Sequence, residues 1–360
     1  MKDKPKPSTL QASGPLFVIS MWRSGSSLLY ALLNKHPQVS LMFEADLVLL
    51  RYSFLKLGRC QDWLARWQFW NLALSRHGFT NRGDLPVAKN FHDAFIAVYK
   101  QFAARKGATI WGDKSPNYYD RIQELAEEFP TAKFIIVWRD PVATANAVVR
   151  AGLAGSPYFN KKGMKLRSLM GYRVLKRGCD HLRDIGRDAC EINYEDLVRE
   201  PSSVMQVVCQ YLQIPYMQEV SDLRDADRSS VPESKHHALL QGETIVSEQR
   251  REVLDPSFRA KARRYANWWQ LWSGGEWPPF PPAQSCNMAF PGISERTWDW
   301  ISYKMFRGFD ALTRLAFCFV PLSWLARYRK FARKKYQAAG NFEKEKKDLD
   351  LAFEFLNQSI

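Results

Sequence analysis

The sequence lacks the patterns that mark several common classes of protein. Its six cysteines are scattered without a CxxC pair, so isolated reduced thiols are expected rather than a disulfide framework. No run of about 18 uncharged apolar residues is present, which argues against a membrane-spanning helix. The opening segment, MKDKPKPSTLQASGP, carries charges and prolines but no apolar core of a signal peptide. Together these absences predict a cytoplasmic protein.

What the chain has in excess is positive charge. The formal net charge is +15 over 360 residues, with an ordinary apolar fraction of 46%. Such a balance favours an anionic partner, whether nucleic acid, an anionic membrane or a polyanionic cofactor, and charge alone does not choose among them. The length is compatible with one large α/β unit carrying appendages.

Short apolar runs alternate with helical patterns along the first 215 residues. Strands are predicted within 16–20, 108–116, 133–138 and 189–194, and helical spacing follows each of them. Runs without polar alternation are typical of strands buried on both faces. The sequence therefore predicts an α/β fold, in which a central parallel β-sheet is flanked by helices on both faces.

Unusual polar residues follow these runs at the points where the strands end. In open parallel sheets, ligands bind beyond the carboxyl ends of the strands. One composite site is therefore predicted at this edge of the sheet. It is formed by Arg23-Ser24-Gly25, Asp113-Lys114, Arg139-Asp140 and Tyr194-Glu195.

The first of these segments, RSGSS, has the build of a phosphate-binding turn. A glycine-containing turn that opens a helix presents backbone N–H groups and serine hydroxyls to an anion. Against the nucleotide-binding pattern GxxxxGK[ST], however, Ser20 replaces the first glycine and Ser26 replaces the lysine. A nucleotide kinase is therefore disfavoured, and an ordinary βα turn remains an alternative for this segment taken alone.

Four segments in order, RSGSS, DKSP, FIIVWRDP and INYEDL, resemble the sulfotransferases that use 3′-phosphoadenylyl sulfate (PAPS). The resemblance covers about residues 14–215 and is closest to the tyrosylprotein, carbohydrate-type and bacterial branches. It implies the P-loop-like sulfotransferase fold and sulfuryl transfer to a hydroxyl or amine without a metal. The product of the donor would be adenosine 3′,5′-bisphosphate.

The resemblance implies roles for the first two segments. The turn would grip the 5′-phosphosulfate, with Arg23 as its cation. Lys114 would act as a second cation near the leaving-group oxygen, oriented by an ion pair with Asp113. The other residues implied in this phosphate grip are Ser24, Gly25, Ser26 and Ser27.

A catalytic base is implied by similarity to the tyrosylprotein branch, which carries a glutamate at about the distance from the turn at which Glu44 stands here. An acidic residue at a helix start is the competing interpretation, because helix N-termini favour acids. His36 is a rival base, since other sulfotransferases use histidine, but its His-Pro context favours a structural role.

The 3′-phosphate site is where the sequence departs from the family. Arg139 matches, but the expected serine and arginine positions hold Ala147 and Ala151. Shortening the loop by one residue brings Asn146 and Arg150 into those places with their four-residue helical spacing kept. Further along the chain, the resemblance places Tyr194 near the nucleotide and Ser229 on a loop that closes over it.

The remaining segments give a domain plan. We expect a flexible segment 1–14, the α/β domain 15–272, a proline-rich connector 273–286 and a basic, aromatic helical extension 287–360. Part of the extension, 309–335, mixes apolar and basic residues and suits either packing on the domain or contact with an anionic membrane.

The sequence also bears on a metal site, on the acceptor and on competing functions. Adjacent His236 and His237 do not indicate a metal site, because no matching ligands stand nearby. The acceptor, whether carbohydrate, lipid or peptide, has no recognisable code, and no nucleic acid is expected. The competing functions are an inactive sulfotransferase-like protein that binds a membrane or nucleic acid, and the disfavoured kinase.

Overall fold

A computed structural model describes most of the chain. The residues described are 14–49, 73–80, 82–85, 91–154, 156, 158–159, 163–231, 240, 242–245, 252–272, 289–319, 324 and 327. The predicted flexible segment 1–14, except Gly14, and the predicted connector 273–286 lie outside them.

A five-stranded sheet organises the described residues, and every neighbouring pair of strands is parallel. In space the strands follow the order β2-β3-β1-β4-β5. The predicted central parallel sheet is confirmed. The strands are β1 Leu16–Ser20, β2 Val39–Phe43, β3 Ile110–Lys114, β4 Lys133–Trp138 and β5 Cys190–Asn193.

Ten α-helices and three short 3₁₀ helices accompany the sheet in the described residues. The α-helices are α1 Ser26–Leu33, α2 Ala73–Arg76, α3 Phe91–Ala104, α4 Ile122–Glu128, α5 Pro141–Leu153, α6 Met164–Asp184, α7 Tyr194–Arg199, α8 Pro201–Leu212, α9 Pro256–Trp272 and α10 Ile293–Phe319. The 3₁₀ helices are Arg82–Asp84, Pro116–Tyr118 and Gln218–Ser221.

The sheet is buried on both faces, as its uninterrupted apolar runs predict. Along β1, Phe17 and Ile19 face one core, which also takes side chains from α3 to α6 and from α9. Leu16 and Val18 face the other core, formed with α1, α7 and α8. Because successive side chains of a strand point to opposite faces, β1 contributes side chains to both cores. Helices on both faces of the sheet are confirmed.

The C-terminal region is helical, as predicted, and the first half of α10 packs on the α/β unit. The carboxylate of Asp299 is buried, accepting hydrogen bonds from Lys261 Nζ at 2.9 Å and from the Tyr265 hydroxyl at 3.0 Å. Four residues on, the hydroxyls of Tyr303 and Tyr119 lie 2.9 Å apart. One side of the helix is therefore fixed beside α6 and α9. In the described part of the chain, no helix combines the length and apolar character needed to cross a membrane.

Candidate active site

The turn between β1 and α1 has an unusual backbone conformation. Gly25 adopts φ 91° and Arg23 adopts φ 66°, both in the left-handed region, which costs a non-glycine residue conformational energy. A Cβ on Gly25 would lie 2.1 Å from Cδ2 of Tyr194. Only glycine therefore fits beneath that ring, and the first and last predicted segments meet here.

Helix α1 begins from this turn without a side-chain cap. Among the described residues, the backbone N–H groups of Gly25, Ser26 and Ser27 donate to no protein acceptor. The Ser26 side chain turns inward and accepts a hydrogen bond from Ser20 Oγ at 2.9 Å. The uncapped N–H groups and the positive end of the helix together favour an anion at this position.

Lys114, at the end of β3, connects the turn to Glu44. Its Nζ donates to Ser27 Oγ at 3.1 Å and to Glu44 Oε1 at 2.7 Å. The Lys114 side chain is fully buried and its ammonium lies 3.6 Å from the centre of the Phe43 ring, whereas the Glu44 side chain is 31% exposed. Burial lowers the pKa of Lys114, and the neighbouring Glu44 carboxylate opposes that shift. The sequence-predicted base, second cation and turn hydroxyl are thus in direct contact.

The expected ion pair between Asp113 and Lys114 is wrong. Consecutive strand residues point to opposite faces, so Asp113 faces away from the lysine. Its carboxylate instead accepts the N–H groups of Ala45 and Asp46, at 3.2 and 2.8 Å, and the hydroxyls of Tyr99 and Tyr118, each at 2.8 Å. It therefore holds the segment that follows Glu44.

Asp46 supplies the reciprocal connection. This buried carboxylate accepts hydrogen bonds from Ser115 Oγ and, at 2.7 Å, from Asn117 Nδ2. The strand-end segments that carry Glu44 and Lys114 are also joined by the hydrogen bond from Glu44 N to Lys114 O, at 2.8 Å. Two buried carboxylates thus brace the two segments, and both Glu44 and Asp46 are held at positive φ. We infer that this brace sets the distance between Glu44 and Lys114.

The brace predicts an unusual pH dependence of stability. Burial, and next the nearby Asp46, raise the pKa of Asp113 to about 7. Because the folded state then holds a proton that the unfolded state releases at lower pH, the free energy of unfolding should fall as pH rises from about 4 to 7. Asp113→Asn should remove about 1–3 kcal/mol of that decline. Urea unfolding at about pH 5 and about pH 8 measures the slope, and equal slopes in both proteins would contradict the assignment.

On the other side of the turn, Arg139 extends from the end of β4. Its Nη1 donates to the carbonyl of Arg23 at 2.7 Å, and its guanidinium stacks 4.3 Å from the centre of the Tyr194 ring. The Nε of Arg139 is buried and has no hydrogen-bond partner among the described residues. A buried guanidinium nitrogen of this kind normally has an acceptor, so the geometry fits an anionic ligand beside Tyr194.

Gly25→Ala tests the contact between the turn and Tyr194. The added methyl would displace the ring, so we expect at least about 10-fold weaker binding of adenosine 3′,5′-bisphosphate in calorimetry, equivalent to about 1.4 kcal/mol. Gly186→Ala is the matched control, because it has φ 70° but open space around its Cβ position. Both variants should unfold at lower temperature, since both are strained. Equal binding losses in the two would show that strain alone is responsible.

The remaining residues predicted to bind the nucleotide are Asn146 and Arg150 on α5, and Ser229. Asn146 lies on α5, where its Oδ1 accepts the N–H of Val253 at 2.9 Å, and Arg150 is one turn further along the same helix. Ser229 is exposed, and its N–H donates to Asp227 Oδ1 at 2.9 Å. The roles of Asn146, Arg150 and Ser229 stay predictions.

His36 lies at the opposite edge of the sheet, between the end of α1 and the start of β2. It is buried, with Nε2 2.9 Å from Pro215 O and Nδ1 accepting the N–H of Gln38 at 3.1 Å. Burial lowers its pKa, which favours the neutral ring. These contacts agree with the structural role favoured for it and remove it from the vicinity of Glu44.

Sequence reasoning missed a hydroxyl network beneath the turn. The Tyr172 hydroxyl donates to the carbonyl of Arg139 at 2.7 Å and lies 2.8 Å from Thr144 Oγ1. Ser24 Oγ lies 3.4 Å from both hydroxyls. Tyr172 belongs to α6, far along the chain, and no local pattern singles it out.

An aromatic wall, also missed, lies beside the turn. Trp22 contacts the rings of Tyr119 and Tyr158, at centroid distances of 5.2 and 6.0 Å, and the Arg167 guanidinium lies 4.8 Å from its centre. Trp22 and Tyr119 are buried, at 4% and 1% exposed, and of these three rings Tyr158 alone reaches the surface, at 37%. As for metals, no group of three or more His, Cys, Asp or Glu side chains suited to holding an ion occurs in the described residues, and His236 and His237 lie outside them.

Comparisons with known proteins show the family to which the chain belongs. The model of the sulfotransferase family matches residues 15–219. The protein-tyrosine sulfotransferase of Drosophila melanogaster is 26% identical over 208 residues, which are 56% of this chain and 38% of that protein. The Stf3 omega-hydroxy-beta-dihydromenaquinone-9 sulfotransferase of Mycobacterium bovis is 23% identical over 305 residues, 69% of this chain and 76% of that protein.

Solved structures are also similar, at low identity. The sulfotransferase domain of the Synechococcus PCC 7002 olefin synthase has a TM-score of 0.46 and 24% identity, covering 73% of this chain and 91% of that domain. The match spans only 38% and 51% of the length of the Drosophila melanogaster and Caenorhabditis elegans tyrosine sulfotransferases. The family model, however, covers more than half of the chain, including the turn, Glu44, Lys114 and Arg139. The protein therefore belongs to the sulfotransferase family.

Proposed function

We propose that the protein transfers a sulfuryl group from PAPS to a hydroxyl or amine, with Glu44 as the base. The observation that carries the proposal is the contact of Lys114 Nζ with both Glu44 Oε1 and Ser27 Oγ, at 2.7 and 3.1 Å. It unites a carboxylate, a buried cation and the start of the phosphate turn. Proton acceptance and charge stabilisation are the two tasks that such a transfer requires of the protein.

The donor fits the residues present. The uncapped start of α1 suits the 5′-phosphosulfate, and the buried Nε of Arg139 suits a second anionic group near Tyr194. Ser24 and Gly25 shape the turn, and the Tyr194 ring lies over it. When bound, PAPS would supply an activated sulfuryl group on a phosphate leaving group. Asn146, Arg150 and Ser229 are proposed as further contacts to the nucleotide.

Each residue around the transfer has a distinct task. Lys114 and Arg23 would stabilise negative charge on the leaving phosphate, and burial strengthens that interaction for Lys114 because water does not screen it. Glu44 would take the proton of the acceptor, and its 31% exposure makes the carboxylate reachable from outside. The Asp113 and Asp46 brace would keep both strand-end segments in register during turnover.

The acceptor would approach past Tyr158, the exposed end of the aromatic wall. Trp22 adjoins Arg23 in the chain, and Tyr158 brings the wall to the surface. Aromatic rings offer stacking contact to a phenol, a sugar or an isoprenoid. The names of the similar proteins cover a protein tyrosine and a hydroxylated menaquinone, so both chemical classes belong among the candidates.

A transfer assay with radiolabelled PAPS tests the proposal. The acceptors would be a tyrosine peptide, a hydroxylated isoprenoid quinone, oligosaccharides and simple phenols. Label should reach at least one acceptor with the wild-type chain, and at least about 100-fold more slowly with Glu44→Gln. Transfer that is equally fast in Glu44→Gln would reject the assigned base. Failure to bind the donor in a parallel filter assay would reject sulfuryl transfer itself.

A further inference from the structure

Helix α10 has an apolar face that the domain does not cover. Trp298, Ile301, Met305 and Leu312 are 67%, 44%, 69% and 66% exposed. Their spacing of three, four and seven residues places them on one side of the helix, which we call the outer face of α10. The helix has 27 residues and is about 40 Å long, so this is an extended apolar strip and not a single exposed side chain.

The helix cannot turn this face inward, because its other side is anchored. Asp299 and Tyr303 are buried and hydrogen-bonded to Lys261, Tyr265 and Tyr119. Arg307 also forms an ion pair with Asp120. Rotating α10 would break these hydrogen bonds and leave the buried hydroxyls of Tyr265 and Tyr119 without them, which is energetically costly. The outer face is therefore a fixed feature of the folded protein.

We propose that the outer face of α10 binds an anionic lipid bilayer, with its apolar residues at the level of the headgroups. The positive charge of the residues around the strip favours an anionic bilayer as its partner. Lys304 is exposed beside the strip, and residues 304–335 include eight lysines and arginines besides the paired Arg307, against one acidic residue, Asp310. An apolar strip flanked by basic residues is typical of interfacial helices. A second copy of the chain is disfavoured, since each copy carries a net charge of +15.

The sequence within and after the strip also combines apolar residues with flanking positive charges. Trp298 has the amphipathic ring that is enriched at membrane interfaces. Directly after Arg314, the sequence LAFCFVPLSWL runs from 315 to 325 without a charge, and the exposed Arg327 follows. Apolar sequence bounded by arginines suits insertion of apolar side chains with cations at the phosphate level.

Helix α10 contacts residues next to the aromatic wall of the candidate active site. A Cβ on Gly163, just before α6, would meet the Phe306 ring, and Arg307 Nη1 lies 3.5 Å from the Tyr119 hydroxyl. Tyr119 in turn contacts Trp22 of the aromatic wall. The anchored side of α10 therefore packs against the aromatic wall, and the outer face points away from it. Membrane binding itself does not depend on the proposed function.

Vesicle flotation of the full chain tests the proposal, with phosphatidylcholine vesicles that contain or lack phosphatidylglycerol. The wild type should bind the anionic vesicles at low salt and lose most of that binding at high salt. Met305→Gln/Leu312→Gln should lower the partition coefficient by at least about 10-fold, because two exposed apolar side chains are lost from the interface. Ile185→Gln/Val207→Gln is the matched control, with side chains 46% and 54% exposed elsewhere on the surface, and should bind normally.

Three kinds of outcome would overturn the proposal. The first is no binding to anionic vesicles at low salt, or equal losses in the two double variants. The second is a dimer in light scattering that Met305→Gln/Leu312→Gln abolishes, which would assign the face to a second copy. The third is a lowered unfolding temperature of that variant together with absent vesicle binding, which would assign the face to packing within the chain.

Discussion

Glu44→Gln is expected to lower kcat by at least about 100-fold, because removing a positioned general base typically costs two to four orders of magnitude. The Kd for adenosine 3′,5′-bisphosphate should stay within about 3-fold, since a glutamine oxygen can still accept the hydrogen bond that Lys114 Nζ gives to Glu44 Oε1 at 2.7 Å. Single-turnover kinetics and calorimetry measure the two quantities separately. The brace at Asp113 and Asp46 should remain intact, but the buried Lys114 ammonium would lose its charged partner, so a lower unfolding temperature is expected for Glu44→Gln.

Two companion variants make this result specific. Glu44→Asp keeps the carboxylate but withdraws it from the acceptor, so an intermediate rate is expected. Glu219→Gln removes a carboxylate on the exposed surface of a 3₁₀ helix and should leave both kcat and Kd unchanged. A Glu44→Gln enzyme with a normal rate, or one that loses nucleotide binding as severely as turnover, would contradict the role of Glu44 as base.

Arg139→Gln is expected to weaken binding of adenosine 3′,5′-bisphosphate by at least about 30-fold, equivalent to about 2 kcal/mol. The variant would lose a charge-assisted contact to the ligand and the stack on Tyr194, whose ring centre lies 4.3 Å from the guanidinium. It would also lose the hydrogen bond to the carbonyl of Arg23, which supports the turn at its strained residue. Calorimetry gives the affinity directly.

Lys133→Gln provides the control on the same strand. Lys133 begins β4 at the opposite edge of the sheet and donates to Tyr211 O at 3.0 Å. Its replacement removes one positive charge from the same element without touching the candidate site, so the affinity should stay within about 2-fold, allowing for screened long-range attraction. Equal losses in Arg139→Gln and Lys133→Gln would indicate a general charge effect and would contradict a specific contact at Arg139.

Strands β1, β3, β4 and β5 could be predicted from the sequence, since each contains a short apolar run that reflects burial on both faces. Their order in space was not needed to locate the site, because the carboxyl ends of parallel strands share one edge. Strand β2 was not predicted. Its sequence VSLMF is short, and Ser40 interrupts the apolar run although that serine is buried in the structure.

The hydrogen bonds between residues of the candidate site could not be predicted from the sequence. Asp113 was expected beside Lys114, yet the pleat of β3 turns it towards Tyr99 and the backbone at Asp46. Tyr172 reaches the carbonyl of Arg139 from a helix that begins after a long connection. Such contacts depend on the packing of distant elements, for which the spacing of residues along the chain carries no signal.

We propose that the turn without a P-loop lysine holds a nucleotide with a 3′-phosphate. Calorimetric titration of the full chain with adenosine 3′,5′-bisphosphate, in the presence of a chelator, tests it most directly. We predict one site with a Kd below about 10 μM, equivalent to a binding free energy near −7 kcal/mol. Absence of binding at about 50 μM ligand, or binding of ATP that requires Mg²⁺ in its place, would contradict the account.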